Sequence, residues 1–228
     1  MVKIIILSAG VIFSCIFYTH AAAEENQSIT IGLIGDSTVA DTYGWGPAFA
    51  SEDDDQVVVL NYAENGATLD SLSGRLDDLI AQSPHYVLIQ FGHNDMHYYD
   101  ASAYAQRLAA YVNRINVSGS TAVIVSPVTR REFNASGKLV PRIVNGNRSL
   151  PIFSQTAGAV AQDLSVPFVD LNTISMDHHN VIGPEASKAY NFRGSDVTHF
   201  SDEGARAIAS LVTDELASVV PDLAEYFK

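Results

Sequence analysis

Ile29-Thr30-Ile31-Gly32-Leu33-Ile34-Gly35-Asp36-Ser37-Thr38 is the stretch on which the fold turns. Residues 29–34 are almost continuously apolar and run straight into a Gly-Asp-Ser-Thr turn. A strand without polar alternation is buried on both faces, which is the habit of strands in parallel sheets. Residues 57–61, 86–91, 122–128 and 166–171 read the same way, giving five strands. Between them lie segments of helical spacing. Leu72, Leu76, Leu79 and Ile80 share one face, and Tyr104, Leu108, Val112 and Ile115 another. Ile152, Thr156 and Val160 repeat at i+4, and Ile208, Val212, Leu216 and Val219 form the last stripe. Alternating β and α elements predict an α/β domain, a parallel sheet with helices on both sides.

The 228 residues carry 13 Lys+Arg against 26 Asp+Glu, a formal net charge of −13. That balance excludes the basic footprint that nucleic acid or an anionic membrane surface requires. Lys3, the apolar run 4–18 and Ala21-Ala22-Ala23 have the pattern of a signal peptide cleaved after Ala23. The run is shorter than the ~20 residues a bilayer span needs. The expected organisation is therefore a signal peptide over 1–23 and one catalytic-sized domain over 24–228. The protein is expected to be secreted or periplasmic. The only cysteine, Cys15, lies in the segment to be removed, so the exported chain is expected to stand on its core without disulfides. Sequons at Asn26, Asn116, Asn134 and Asn147 matter only in a host that glycosylates.

In an open parallel sheet, ligands meet loops beyond the carboxyl ends of the strands. Four loops fall there: 35–40, 63–68, 92–97 and 196–204. Ser37 stands directly after the first strand, where a hydroxyl is exposed near backbone N–H groups able to stabilise an oxyanion. Asp196 precedes His199 by three residues, so a carboxylate can orient an imidazole and leave its other nitrogen facing a serine. The Asn94 amide and the N–H of Gly66 are candidate oxyanion donors. Each feature alone reads equally as a cap or a turn: Ser37 or Ser201 as an N-cap, Asn65-Gly66 as a turn dipeptide. Together they supply a nucleophile, a base, an orienter and three donors on one edge. His93, Asp95 and His97 mimic metal spacing. A strand-to-loop position does not hold i,i+4 ligands on one face, however, and the glutamate of H-E-x-x-H is absent, so no metal and no cofactor are expected.

These blocks resemble the SGNH (GDSL-type) hydrolases: Gly35-Asp36-Ser37, Gly66, Gly92-His93-Asn94-Asp95 and Asp196-Val197-Thr198-His199, in order across nearly the whole chain. The resemblance implies a flavodoxin-like three-layer α/β/α sandwich with a five-stranded parallel sheet. It further implies Ser37 as nucleophile, His199 as base, Asp196 as its orienter, and an oxyanion hole of Ser37, Gly66 and Asn94. A narrower resemblance is to rhamnogalacturonan acetylesterases, carried by Gly35–Ala40, Phe91–Asp95, Asp196–Ser201, and the segments Ser126–Phe133 and Gly137–Val140. It implies an acetylated polysaccharide as partner. Where those enzymes carry Arg-Ser after the second-block glycine, this chain has Ala67-Thr68. Arg130 and Arg131, after the fourth strand, are expected to contact galacturonate carboxylates, and Trp45, in the loop after Ser37, to stack on a sugar. His178-His179 is read as a loop pair without a role. Competing readings are a broad arylesterase, lysophospholipase or thioesterase of the same superfamily, and a non-catalytic sugar-binding module. The sequence leaves oligomeric state open.

Overall fold

The computed structural model describes residues 28–51, 56–146 and 148–227. The expected signal peptide, with Cys15, lies outside the described residues, as do Asn26 and Asn147. From β1 (Ile29–Gly35) the chain passes through α1 (Gly46–Ser51), β2 (Val57–Asn61), α2 (Ser73–Ile80), β3 (Tyr86–Gln90), α3 (Ala101–Val117) and β4 (Thr121–Val125). A small antiparallel hairpin, β5 (Ile143–Asn145) with β6 (Arg148–Ser149), precedes α4 (Leu150–Leu164), β7 (Phe168–Val169), α5 (Leu171–Ser187) and α6 (Asp202–Val219).

The main sheet has the order β2-β1-β3-β4-β7, and its neighbouring strands are all parallel. The continuous apolarity of β1 has a direct cause. Ile31 and Leu33 point into one core, against Trp45, Phe49, Ile208, Val212 and Leu216 of α1, α6 and the loop before α1. Ile34 points into the other, with Leu76, Leu79, Tyr104, Leu108 and Phe153 of α2, α3 and α4. Period-two side chains reach an apolar layer on either face, so the three-layer α/β/α sandwich is as expected.

Two strands are shorter than the apolar runs suggested. Pairing between β4 and β7 covers Ile124 with Phe168 and Val125 with Val169, and one more bond runs from Ser126 N–H to Val169 O at 3.0 Å. Pro127 then has no N–H to give, and Asp170 turns to cap α5 by accepting from Thr173 N–H. Helix α5 itself is unforeseen: its apolar residues do not form a clean stripe, and it breaks at Gly183, whose backbone sits at φ 78°. His178 and His179 belong to this helix, not to a loop. Ser201 does cap α6, accepting from Gly204 N–H at 3.2 Å. The chain order places β2 on one side of β1 and β3 on the other, so loops after β1 and β3 flank the crevice where the winding reverses.

Candidate active site

The turn after β1 is built by Asp36. Its Oδ1 accepts from the Thr38 N–H at 2.9 Å and the Thr38 hydroxyl at 2.7 Å, and its carbonyl accepts from Val39 and Ala40 N–H. Asp36 and Thr38 are fully buried, which leaves Ser37 at the top of the turn, 8% exposed. Its backbone N–H has no partner among the described residues.

Opposite it stands the segment 191–201, closed by an antiparallel bridge between Asn191 and Phe200. His199 Nε2 lies 2.9 Å from Ser37 Oγ, although 162 positions separate the two residues. His199 Nδ1 lies 2.9 Å from Asp196 Oδ2, and Asp196 Oδ1 accepts from the N–H groups of Thr198 and His199, each at 3.0 Å. A carboxylate is an obligate acceptor, so Nδ1 carries the ring proton and Nε2 offers its lone pair to the hydroxyl. Partial burial pushes the Asp196 carboxyl up, but the hydrogen bonds from His199 and Thr198 outweigh it and hold the group below its ordinary value. The Tyr43 ring leans on the imidazole, centroids 5.2 Å apart.

The third element is the loop after β3. Asn94 Nδ2 donates one hydrogen to Ala67 O at 2.9 Å and keeps the other free. Gly66 adopts φ 76°, a conformation that side-chain-bearing residues resist, and its N–H has no partner among the described residues. Gly92 lets this loop pass the next one, since a Cβ there would come within 2.9 Å of the Pro127 ring. Beneath lies Asp95, fully buried, with Oδ1 accepting from Leu69 N–H at 2.9 Å and Oδ2 unpartnered. Burial raises its carboxyl to about 7. His93 Nε2 meets the carbonyl of Val128 at 2.9 Å, and burial pulls that imidazole down, so it is neutral. Among the described residues no three His, Cys, Asp or Glu side chains are grouped to hold a metal ion.

Ser37, Asp196 and His199 thus meet in one chain of contacts, and Asn94 and Gly66 lie on neighbouring loops of the same edge. Two other expectations are corrected. Trp45 is wholly buried, its Nε1 donating to Gln90 Oε1 at 2.9 Å and its ring packed 5.7 Å from Phe49, so it presents no face to a sugar. Arg131 is 3% exposed, turns Nε and Nη2 onto protein acceptors and keeps Nη1 buried, so it is not the exposed cation expected for a ligand carboxylate. Arg130 remains half-buried beside Arg142. Burial first, and then the Arg142 charge, lower its guanidinium, and the Nε atoms of both arginines are buried without a partner. Sequence reasoning missed the burial of Arg131, which with Thr129 lies buried on either side of the partly exposed Arg130. The i,i+4 spacing of Trp45 and Phe49 was a core signal too.

A hydroxyl, imidazole and carboxylate in line over the carboxyl edge of a doubly wound sheet define a class, the ester hydrolases of SGNH type. The chain belongs to the GDSL-like lipase/acylhydrolase family, whose profile matches residues 28–207. It is accordingly a carboxylic ester hydrolase. It is 32% identical over 215 residues to a rhamnogalacturonan acetylesterase of Bacillus subtilis (strain 168), covering 82% of this chain and 89% of that one. A probable rhamnogalacturonan acetylesterase of the same organism is 26% identical over 203 residues, covering 80% and 89%. Among solved structures, a Bacillus subtilis protein superposes with TM-score 0.72 at 23% identity; the match takes in 84% of this chain but only 57% of that one. A catalytic mutant of an acetylxylan esterase from Geobacillus stearothermophilus gives TM-score 0.64 at 18% identity, with 83% and 94% covered. At such identities the two structures speak for the fold.

Proposed function

We propose that this hydrolase removes O-acetyl groups from an acidic plant cell-wall polysaccharide, rhamnogalacturonan or pectin, by acyl transfer through Ser37. His199 Nε2 takes the hydroxyl proton as Ser37 Oγ attacks the acetyl carbonyl carbon. The oxyanion is received by the Ser37 and Gly66 N–H groups and the free Asn94 hydrogen. The C–O bond to the sugar breaks as His199 returns the proton to the departing alcohol. Water, deprotonated by His199, then releases acetate and restores Ser37. Asp196 holds the ring in the required tautomer throughout.

The observation that carries the reading is the contact pair at 2.9 Å on either side of the His199 ring. For the substrate, support comes from the named Bacillus subtilis relative and from Arg130 with Arg142. Two guanidinium groups that repel each other, with unpaired buried Nε atoms, are relieved by an anionic ligand, and a uronate carboxylate suits them. Export follows from the pattern of residues 1–23. Among the described residues no helix is long and apolar enough to cross a membrane.

The test is acetate release from acetylated rhamnogalacturonan, pectin and xylan, with Ser37→Ala as control. The reading expects preference for the two acidic polymers and loss of release in Ser37→Ala. Arg130→Ala should lose more on pectin than on a small aryl acetate. Equal losses on both would remove the carboxylate contact, and undiminished release by Ser37→Ala would remove the nucleophile.

A further inference from the structure

The loop that carries Asp196 and His199 is held internally by turn hydrogen bonds, Asp196 N–H to Arg193 O at 2.7 Å and Phe192 N–H to His199 O at 3.0 Å, and not by regular structure. Beyond the Asn191–Phe200 bridge it contains neither helix nor strand. One side faces Ser37. The other borders a hollow of about 360 Å³ lined by Phe133, Pro184, Lys188, Asn191, Gly194 and Val197, so packed side chains do not back it there.

Arg131, from the loop after β4, reaches across instead. Its Nε donates to Asn191 Oδ1 at 2.8 Å, and its Nη2 donates to the carbonyls of Asp196, at 3.3 Å, and of His199. Its backbone N–H donates to Val197 O at 2.9 Å. The guanidinium plane covers the Phe200 ring, 4.6 Å from its centroid. One residue therefore grips three carbonyls of the Asp196–His199 segment. Arg131 is a poor device for stability alone. Among the described residues no carboxylate meets its nitrogens, Nη1 is buried without a partner, and taking a cation out of water carries a desolvation cost that an aliphatic side chain would not incur. A planar fork, by contrast, fixes several acceptors in one geometry, which lysine cannot do.

We infer that Arg131 is a positioning residue, setting through the carbonyls of Asp196, Val197 and His199 where the imidazole stands relative to Ser37. The inference rests on the assignment of Ser37, His199 and Asp196 above. It sharpens that assignment by naming what holds the base within the narrow distance at which a proton passes.

The experiment measures kcat and KM on an aryl acetate for Arg131→Met, Arg131→Lys and Asn191→Ala, below each variant's unfolding midpoint and with near-UV circular dichroism as the fold control. Arg131→Met keeps the apolar volume and loses both charge and fork; Arg131→Lys keeps the charge. Both should lose on the order of 10- to 100-fold in kcat, the scale of a small misplacement, while KM stays nearly constant. Asn191→Ala, which leaves the guanidinium in place but loosens it, should show a smaller loss of kcat. Wild-type kcat in Arg131→Met or Arg131→Lys overturns the inference, as does a loss confined to the melting temperature with both kinetic readouts unmoved. Ser37→Ala is run beside them. Turnover persisting there would defeat the nucleophile assignment, a failure distinct from that of Arg131.

Discussion

The two halves of the site are held in opposite ways. The turn bearing Ser37 sits in a wholly buried stretch: every residue from Ile31 to Ala40 is buried, and Asp36, Thr38, Gln90 and Trp45 form one hydrogen-bonded lattice beneath the hydroxyl. The segment bearing Asp196 and His199 is half-exposed and irregular, bordered by a hollow and gripped by one buried arginine. A nucleophile at the end of a central strand inherits its position from the sheet. A base delivered by a loop 162 residues later must be tied in place by polar contacts. The difference teaches that mutations beneath Ser37 should act mainly through stability, and those around His199 mainly through turnover.

The largest effect should come from breaking the rigid half at its base. Trp45→Ala should cost about 3–5 kcal/mol of stability, the usual range for a fully buried large aromatic. Trp45→Phe, which leaves Gln90 Oε1 without its donor, should cost about 1–3 kcal/mol. Chemical denaturation measures both. KM of the phenylalanine variant for polymer should match the wild type, and a large rise would return Trp45 to the sugar. Asn94→Ala sharpens the comparison from the other direction. Its amide bonds only the Ala67 carbonyl, so stability should change little, while kcat should fall on the order of 100- to 1000-fold, the cost of one oxyanion donor.

The remaining effect is a slope against pH. Asp95 has its carboxyl raised from 3.8 to about 7 by burial. Its stabilising contribution is therefore complete below about pH 4 and is lost as pH rises towards 7. Buried His179 is opposite in sense: burial lowers it from 6.5 to about 3, so its contribution is complete above 6.5 and is lost as pH falls towards 3. Asp95→Asn removes only the first. Its stability relative to wild type should therefore climb between pH 4 and 7, approaching ~1.4 kcal/mol per pH unit. A difference independent of pH over that window, read by denaturation at several pH values, would contradict the buried carboxyl.

Much of this was legible in the residues. Two-sided burial writes itself as unbroken apolar runs in β1, β3 and β4, and the five strands with α2, α3, α4 and α6 could be located from pattern, although the run at edge strand β2 leaves Val58 44% exposed. The exceptions share a cause. α5 has no clean stripe and contains Gly183-Pro184, and the β5–β6 hairpin is too short to carry a period. The loop residues of the site were legible by type and place, because strand ends in a parallel sheet point to one edge. Side-chain direction was not. Arg130 and Arg131 are adjacent cations on one loop, yet one lies half-buried beside Arg142 and the other is swallowed behind His199. Only packing decides which way each turns. Trp45, flanked by Gly44 and Gly46, reads from sequence as a packing or surface residue or as a sugar stacker alike, because its partner Gln90 lies 45 positions away on β3.

The central claim is that His199 activates Ser37. Intact-mass spectrometry after exposure to a serine-reactive aryl phosphonate tests it most directly, in wild type and in His199→Ala. A single adduct mapping to Ser37 in the wild type, formed far more slowly without the imidazole, is the expected result. An adduct on another residue, or equal labelling rates in the two proteins, would contradict it.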